Sequence, residues 1–181
     1  VGTFAASSLA IRMKRQAEST ARRAYRMEVL LESSRKLQGA RNADECFRLV
    51  AEQVIKLLNR PVVMYRLGID GRLAKPVVHD VPGTLGGDAG ACALASPEES
   101  AVAAWSAANN ERAGATTDTL ADSQCLYLPI HSKDAVFGVA GIAMDDIDGE
   151  EDFGAFEKNL LLAILDECGQ TTEQIVFAED R

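Results

Sequence analysis

The chain has 181 residues, 47% hydrophobic and 25% charged, with a net charge of −8. That is enough for one hydrophobic core plus an appendage, and it excludes a disordered or fibrous chain. The charge is uneven: residues 1–41 hold nine Lys/Arg against three Asp/Glu, and the remainder ten against twenty-four. The acidic body excludes nucleic acid as its partner, because phosphate recognition needs clustered cations.

Residues 1–11, VGTFAASSLAI, are mildly apolar and are followed at once by Arg12, Lys14 and Arg15. No apolar run reaches the ~20 residues that a membrane span needs. The pattern is that of the cytoplasmic end of a membrane helix under the positive-inside rule, or of an ordinary amphipathic helix start. Residues 8–38 contain neither Pro nor Gly, which predicts a long helix. Met13, Ala17, Thr20, Ala24, Met27, Leu31 and Ser34 alternate at spacings of four and three. This is a heptad seam of mostly small residues, and it predicts a homodimer through the N-terminal helix. The alternative is a single helix solvated by its Arg and Glu side chains. Gly39 ends the helix and divides the chain into a linker helix, 1–38, and a domain, 39–181.

Asn42 is placed as an N-cap, with Glu45 completing a capping box. Phe47, Val50, Val54 and Leu57 then recur on one face of a core helix. Pro61 opens a strand at 62–67, Asp70-Gly71 makes a hairpin turn, and 72–78 returns as its partner. The segment 79–96, with Gly83, Gly86, Gly87 and Gly90, reads as a flexible loop or lid. It carries no GxxxxGK[ST] phosphate cradle. His79 and Asp80 are adjacent and do not face one another, so no catalytic pair is expected. Ser96-Pro97-Glu98-Glu99 starts a helix that runs to about residue 112, with Ala101, Val102, Trp105 and Ala108 inward.

Gly114 stands where that helix would need a left-handed terminator. Thr116, Thr117, Asp118 and Thr119 crowd into the loop after it. Leu126, Leu128 and Ile130 alternate along a strand at 125–131, and a second strand follows at 135–144. Within the latter, Gly138 and Gly141 signal a bulge or a close approach by another group. Asp145, Asp146, Asp148, Glu150, Glu151 and Asp152 form an acidic loop without the ligand spacing of a calcium site. A final helix at 153–176 carries Phe156, Leu160, Ile164, Cys168 and Ile175 on one stripe. The order predicts an α+β fold, an antiparallel sheet with helices packed on it. A fifth strand is sought in 79–96 or 115–122.

A polar loop beside an apolar sheet is where a small-molecule site forms. Trp105 and Asn109 share a helix face. Gly114 would bring Thr117, Asp118 and Thr119 back over that helix end, and Tyr127 enters from the adjoining strand with parity opposite to Leu126. These six are the ligand-binding candidates. The other reading is that the loop residues only tie up backbone and Trp105 anchors the core. Cys46, Cys92, Cys125 and Cys168 show no CxxC and, with His79 and His131, no zinc pattern. Cys92 and Cys125 are the pair for a thiol-dependent reductase, but no motif supports it. No phospho-acceptor His in a helical motif and no ATP lid are present, so no catalytic residue is assigned.

The order W-x-x-x-N-x-x-x-A-G-x-x-T-D-T-L, then L-Y-L-P-I, covers Trp105, Asn109, Ala113, Gly114, Thr117–Leu120 and Leu126–Ile130. It resembles the GAF domain of the Kdp-type potassium-sensor histidine kinases. The likeness extends loosely over residues 30–175, through Ser34–Leu37, Pro61–Val63, Gly138 and Gly141. The Gly- and Ala-rich 79–96 segment departs from it. The resemblance implies a GAF-like, PAS-related fold with the terminal helices on one sheet face and the ligand pocket on the other. It also implies a preceding membrane module, a downstream kinase domain in the same chain, a response regulator, and a cytoplasmic place in a bacterial inner-membrane protein. The implied role is a sensor module governing potassium uptake. The alternatives are a stand-alone GAF domain with its own small ligand and a GAF methionine sulfoxide reductase. No ligand or cofactor is identified by the sequence.

Overall fold

The computed structural model describes residues 2–144 and 154–179; the acidic 145–152 loop and position 153 lie outside the described residues. Helix α1 is Gly2–Gln38 and α2 is Ala43–Leu58. They are followed by β1 Val62–Arg66, β2 Val77–His79, α3 Asp88–Leu94 and α4 Pro97–Asn109. Then come β3 Ala113–Gly114, β4 Cys125–Ser132, β5 Ala135–Ala143 and α5 Ala155–Glu179. The strands lie in the order β2-β1-β5-β4-β3, every neighbour antiparallel. The expected α+β plan is the observed one.

Period-2 alternation sorts the strands onto two cores. Val62, Met64, Leu126, Leu128, Ile130, Ala140 and Ile142 face α2 and α5, and the end of α1 joins them there. Val63, Tyr65, Cys125, Tyr127, Val139 and Ala143 face α4 and Leu94 of α3. With helices on both faces, the central strands are apolar almost throughout, not only at every second residue. The two glycines of β5 serve close approach. A Cβ on Gly138 would enter the Phe47 ring, and one on Gly141 the Tyr127 ring on the opposite face. A register shift also stands beside Gly138: Ile130 pairs with Gly138 and His131 with Val136, so β5 carries the extra residue, Phe137.

Local caps hold the helices where the sequence puts them. Asn42 Oδ1 accepts the Glu45 N–H at 2.9 Å, and Glu45 reaches back to the Arg41 N–H at 2.8 Å, one residue before the usual box. Ser96 Oγ accepts the Glu99 N–H at 3.3 Å, with Pro97 at the first turn. Helix α1 is buried at its end: Val29, Ser33 and Leu37 are buried, and Lys56 of α2 meets Glu32 at 2.9 Å. Residues 2–28 are exposed along their length, including the seam residues Met13, Ala17, Thr20, Ala24 and Met27; Leu31 beyond them is exposed too. This free part is roughly 40 Å long at 1.5 Å per residue. No helix among the described residues is long and apolar enough to cross a membrane.

Five local expectations are corrected. The return strand is not continuous over 72–78: Leu73 bridges Leu67, and pairing resumes only at Val77. Pro76, without an N–H, stands in the gap. The 79–96 segment is not wholly loop, since 88–94 is helical. Small residues let that helix close on Leu85, where a Cβ at Gly90 would strike the Leu85 carbonyl. Helix α4 stops at Asn109, with Asn110 as the left-handed cap at φ 52°. Its inward face is Glu99, Ala103, Ser106 and Ala107, while Ala101 and Ala108 are exposed. Gly114 therefore ends no helix. It lies in the fifth strand, β3, at φ 92°, where a Cβ would strike the Cys125 carbonyl.

Candidate functional site

On the α4 face the space between helix and sheet is filled by aromatic rings. Tyr65 and Tyr127 are both buried and meet edge-to-face with centroids 6.1 Å apart. Glu99, 5% exposed, lies at the first turn of α4. Its carboxylate accepts from Tyr127 Oη at 2.7 Å, Ser123 Oγ at 2.7 Å and the Gln124 N–H at 2.8 Å. Three donors and the positive end of the helix dipole support the buried carboxylate. Burial, then Cys125 and Glu99, pushes the Tyr127 hydroxyl far above its ordinary range, and burial likewise raises Tyr65. Both phenols are therefore protonated at neutral pH, and Tyr127 is the donor to Glu99. Sequence reasoning gave Glu99 only a capping role. The missed signal was an acidic residue four places before Ala103, on the same i, i+4 stripe as Ala103 and Ala107, legible only once the helix rotation is known.

The six ligand candidates fall in three environments. Tyr127 is buried in the α4-face core, on the parity opposite to Leu126 and Leu128. Trp105 is half-buried on α4, and exposed Asn109 donates its side-chain amide to the Trp105 carbonyl at 2.8 Å. Thr117, Asp118 and Thr119 form a loop closed on itself. Thr117 Oγ1 donates to the Gly114 and Thr119 carbonyls at 2.7 and 2.8 Å, and the Gly114 N–H donates to the Thr119 carbonyl at 2.8 Å. Asp118 is exposed. The structure thus joins Thr117 to Thr119, and Trp105 to Asn109, while Tyr127 is enclosed in the α4-face core with its ring beside Gly114.

The other face carries an open groove of about 400 Å³ between α5 and the β3–β4 edge. Its floor is Leu126, Leu128, Pro129, Leu161, Leu162 and Leu165; its rim is Arg112, Thr116, Thr117, His131, Lys158 and Asp166. Thr117 is the one sequence candidate that lines it. A smaller hollow of about 270 Å³ lies by β2, lined by Phe47, Arg66, Val77 and His79 among others. There Arg66 pairs with Asp44 at 2.9 Å, and burial lowers the affinity of His79 for a proton.

The thiols separate as well. Cys92 is exposed on α3, whereas Cys125 is buried in the sheet. Cys46 of α2 and Cys168 of α5 are both buried, with their sulfurs 3.8 Å apart. Burial pushes the Cys168 thiol well above its ordinary range, so it stays protonated. Among the described residues no cluster of three His, Cys, Asp or Glu side chains is placed to hold a metal.

Sheet order, flanking helices and the two-faced core are those of a GAF domain. The crystal structure of the GAF domain of the potassium sensor histidine kinase KdpD from Escherichia coli matches 84% of this chain and 96% of its own length. The TM-score is 0.64 at 19% identity. A methyl-accepting chemotaxis protein fragment, residues 122 to 287, matches 82% of this chain and 99% of its own, with TM-score 0.59 and 13% identity. In sequence, the chain is 28% identical to the sensor protein KdpD of Clostridium acetobutylicum over 142 residues, 77% of this chain. It spans 15% of the length of that relative. No family model matches. The chain is thus a GAF-fold domain similar in sequence and fold to that of the KdpD sensor kinases.

Proposed function

We propose that the chain is the cytoplasmic regulatory module of a membrane-bound bacterial sensor histidine kinase that controls potassium uptake. In this reading α1 enters from the membrane side, paired with a second copy through Met13, Ala17, Thr20, Ala24, Met27 and Leu31. Helix α5 leads to a kinase core outside this chain, which phosphorylates a response regulator. The observation that carries the reading is the placing of α1 and α5 on the same face of the sheet, both seated in the core that includes Leu37 and Cys168. A rotation or splaying of α1 is then felt by α5 through shared side chains, because a packed core is bistable rather than freely deformable.

The reductase alternative is disfavoured by Cys125, which is wholly buried while Cys92 is exposed on a separate helix. A nucleophilic thiolate needs access and a nearby cation.

The relay is tested in the intact receptor by insertions into the exposed part of α1, between residues 20 and 21. One added alanine rotates everything upstream by about 100° relative to the domain, while seven restore the seam register to within about 20°. Signal-dependent autophosphorylation should be lost with one alanine and kept with seven. Equal output from both insertions would overturn the relay.

A further inference from the structure

We propose that the groove between α5 and the β3–β4 edge is a binding site for a small amphipathic monocarboxylate, with its apolar body on the leucine floor and its carboxylate on Arg112. The groove lies on the sheet face opposite to the aromatic core around Tyr65 and Tyr127, so its occupation requires no repacking of that core. Its volume, about 400 Å³, falls in the range of small-molecule sites. Leu126, Leu128, Leu161 and Leu165 are buried, whereas Leu162, 47% exposed, leaves an apolar edge in solvent.

The head-group end is set by charge. Residues 42–181 are strongly acidic, yet this rim carries two cations, Arg112 and Lys158, and one acid, Asp166. Asp166 accepts from Gln170 at 3.0 Å. Arg112 makes no ion pair among the described residues, and its planar fork suits a carboxylate held by two hydrogen bonds. Thr116 stands beside it on the same rim, with φ 64°. A β-branched residue rarely adopts that conformation, and such strain persists where surroundings hold a side chain for a purpose. Here it presents an exposed hydroxyl with no partner among the described residues, at the mouth of the groove. One guanidinium and one hydroxyl match a single negative charge better than a multiply charged phosphate.

Binding is a property of the domain alone and does not rest on the kinase reading; only its consequence does. Since α5 forms one wall, an occupied groove would fix α5 against β4 and restrict the helix that leads out of the domain.

The probe is octanoate, compared with octanamide, titrated by calorimetry into the 181-residue chain. One octanoate should bind per chain with a Kd below about 1 mM, and octanamide should bind about tenfold or more weakly. Arg112→Gln should remove that preference. Leu162→Trp, which fills the groove from its exposed edge, should abolish binding with the circular dichroism spectrum unchanged. Amide exchange along α5 should slow on saturation in the parent and not in Leu162→Trp. Absent binding overturns the proposal, as does binding that ignores both the charge of the ligand and Arg112. If Leu162→Trp instead changes the sedimentation of the chain while octanoate does not bind, the groove seats a second copy and the proposal fails. Octanoate binding in a receptor whose kinase output ignores the helix insertions would leave the site standing and remove only the relay.

Discussion

Glu99 shows how much one side chain can join. It reaches from the first turn of α4 to the start of β4 and to the loop that precedes it, through Tyr127, Gln124 and Ser123. Replacing it with alanine leaves a buried phenol and a backbone N–H without acceptors. Glu99→Ala should therefore cost about 2–4 kcal/mol in urea unfolding. Glu99→Gln keeps one acceptor oxygen and should cost roughly half as much. A cost for Glu99→Ala no larger than that of an exposed substitution, about 0.5 kcal/mol, would show that the carboxylate does not bridge helix and strand. The Thr117–Asp118–Thr119 turn divides in the same way at residue scale. The Thr117 hydroxyl holds two carbonyls, while the Asp118 side chain faces solvent.

At the scale of elements, α1 carries two kinds of surface. Its last ten residues are held by the domain through Val29, Ser33, Leu37 and the Glu32–Lys56 pair. Its first part exposes Phe4, Leu9, Ile11, Met13, Tyr25 and Met27 to water. An isolated helix with so much apolar surface is marginal alone and is stabilised by pairing. Removing residues 1–28 should convert a dimer into a monomer in sedimentation equilibrium while leaving the melting temperature of the domain within a few degrees. A truncated chain that still dimerises with unchanged affinity would place the contact on α5 or the sheet and sink the seam. The seam residues between Met13 and Met27 are small, so the pairing should be weak and sensitive to register.

For the whole molecule, all the described helices and strands are accounted for by one sheet and its two covering layers. The sequence offers neither a His in a helical phospho-acceptor motif nor an ATP lid. Incubation with labelled ATP and magnesium should leave the chain unlabelled; stoichiometric incorporation would require the kinase assignment to be redrawn. The basic α1 and the acidic domain occupy different parts of the molecule, so repulsion within each is relieved by solvent rather than by burial.

The elements legible in the sequence are those fixed by neighbours a few residues apart. Asn42 and Ser96 cap helices through bonds to the third residue on, and Asp70-Gly71 turns a hairpin. Alternation along β4 put Tyr127 and Leu126 on opposite faces before either face was known. The TDTL and LYLPI segments pointed to the GAF fold that the structure has. What escaped depends on residues far apart. The pairing of β3 with β4 needs only two residues and leaves no periodic trace, so Gly114 read as a helix stop. The inward turn of Glu99, the Cys46–Cys168 contact and the groove under α5 bring together positions separated by up to 122 residues. Local propensity acts within a turn or a strand pair, whereas burial is decided by which surfaces meet. The sequence alone determined the elements and their faces, and the tertiary structure decided which side chains share a site.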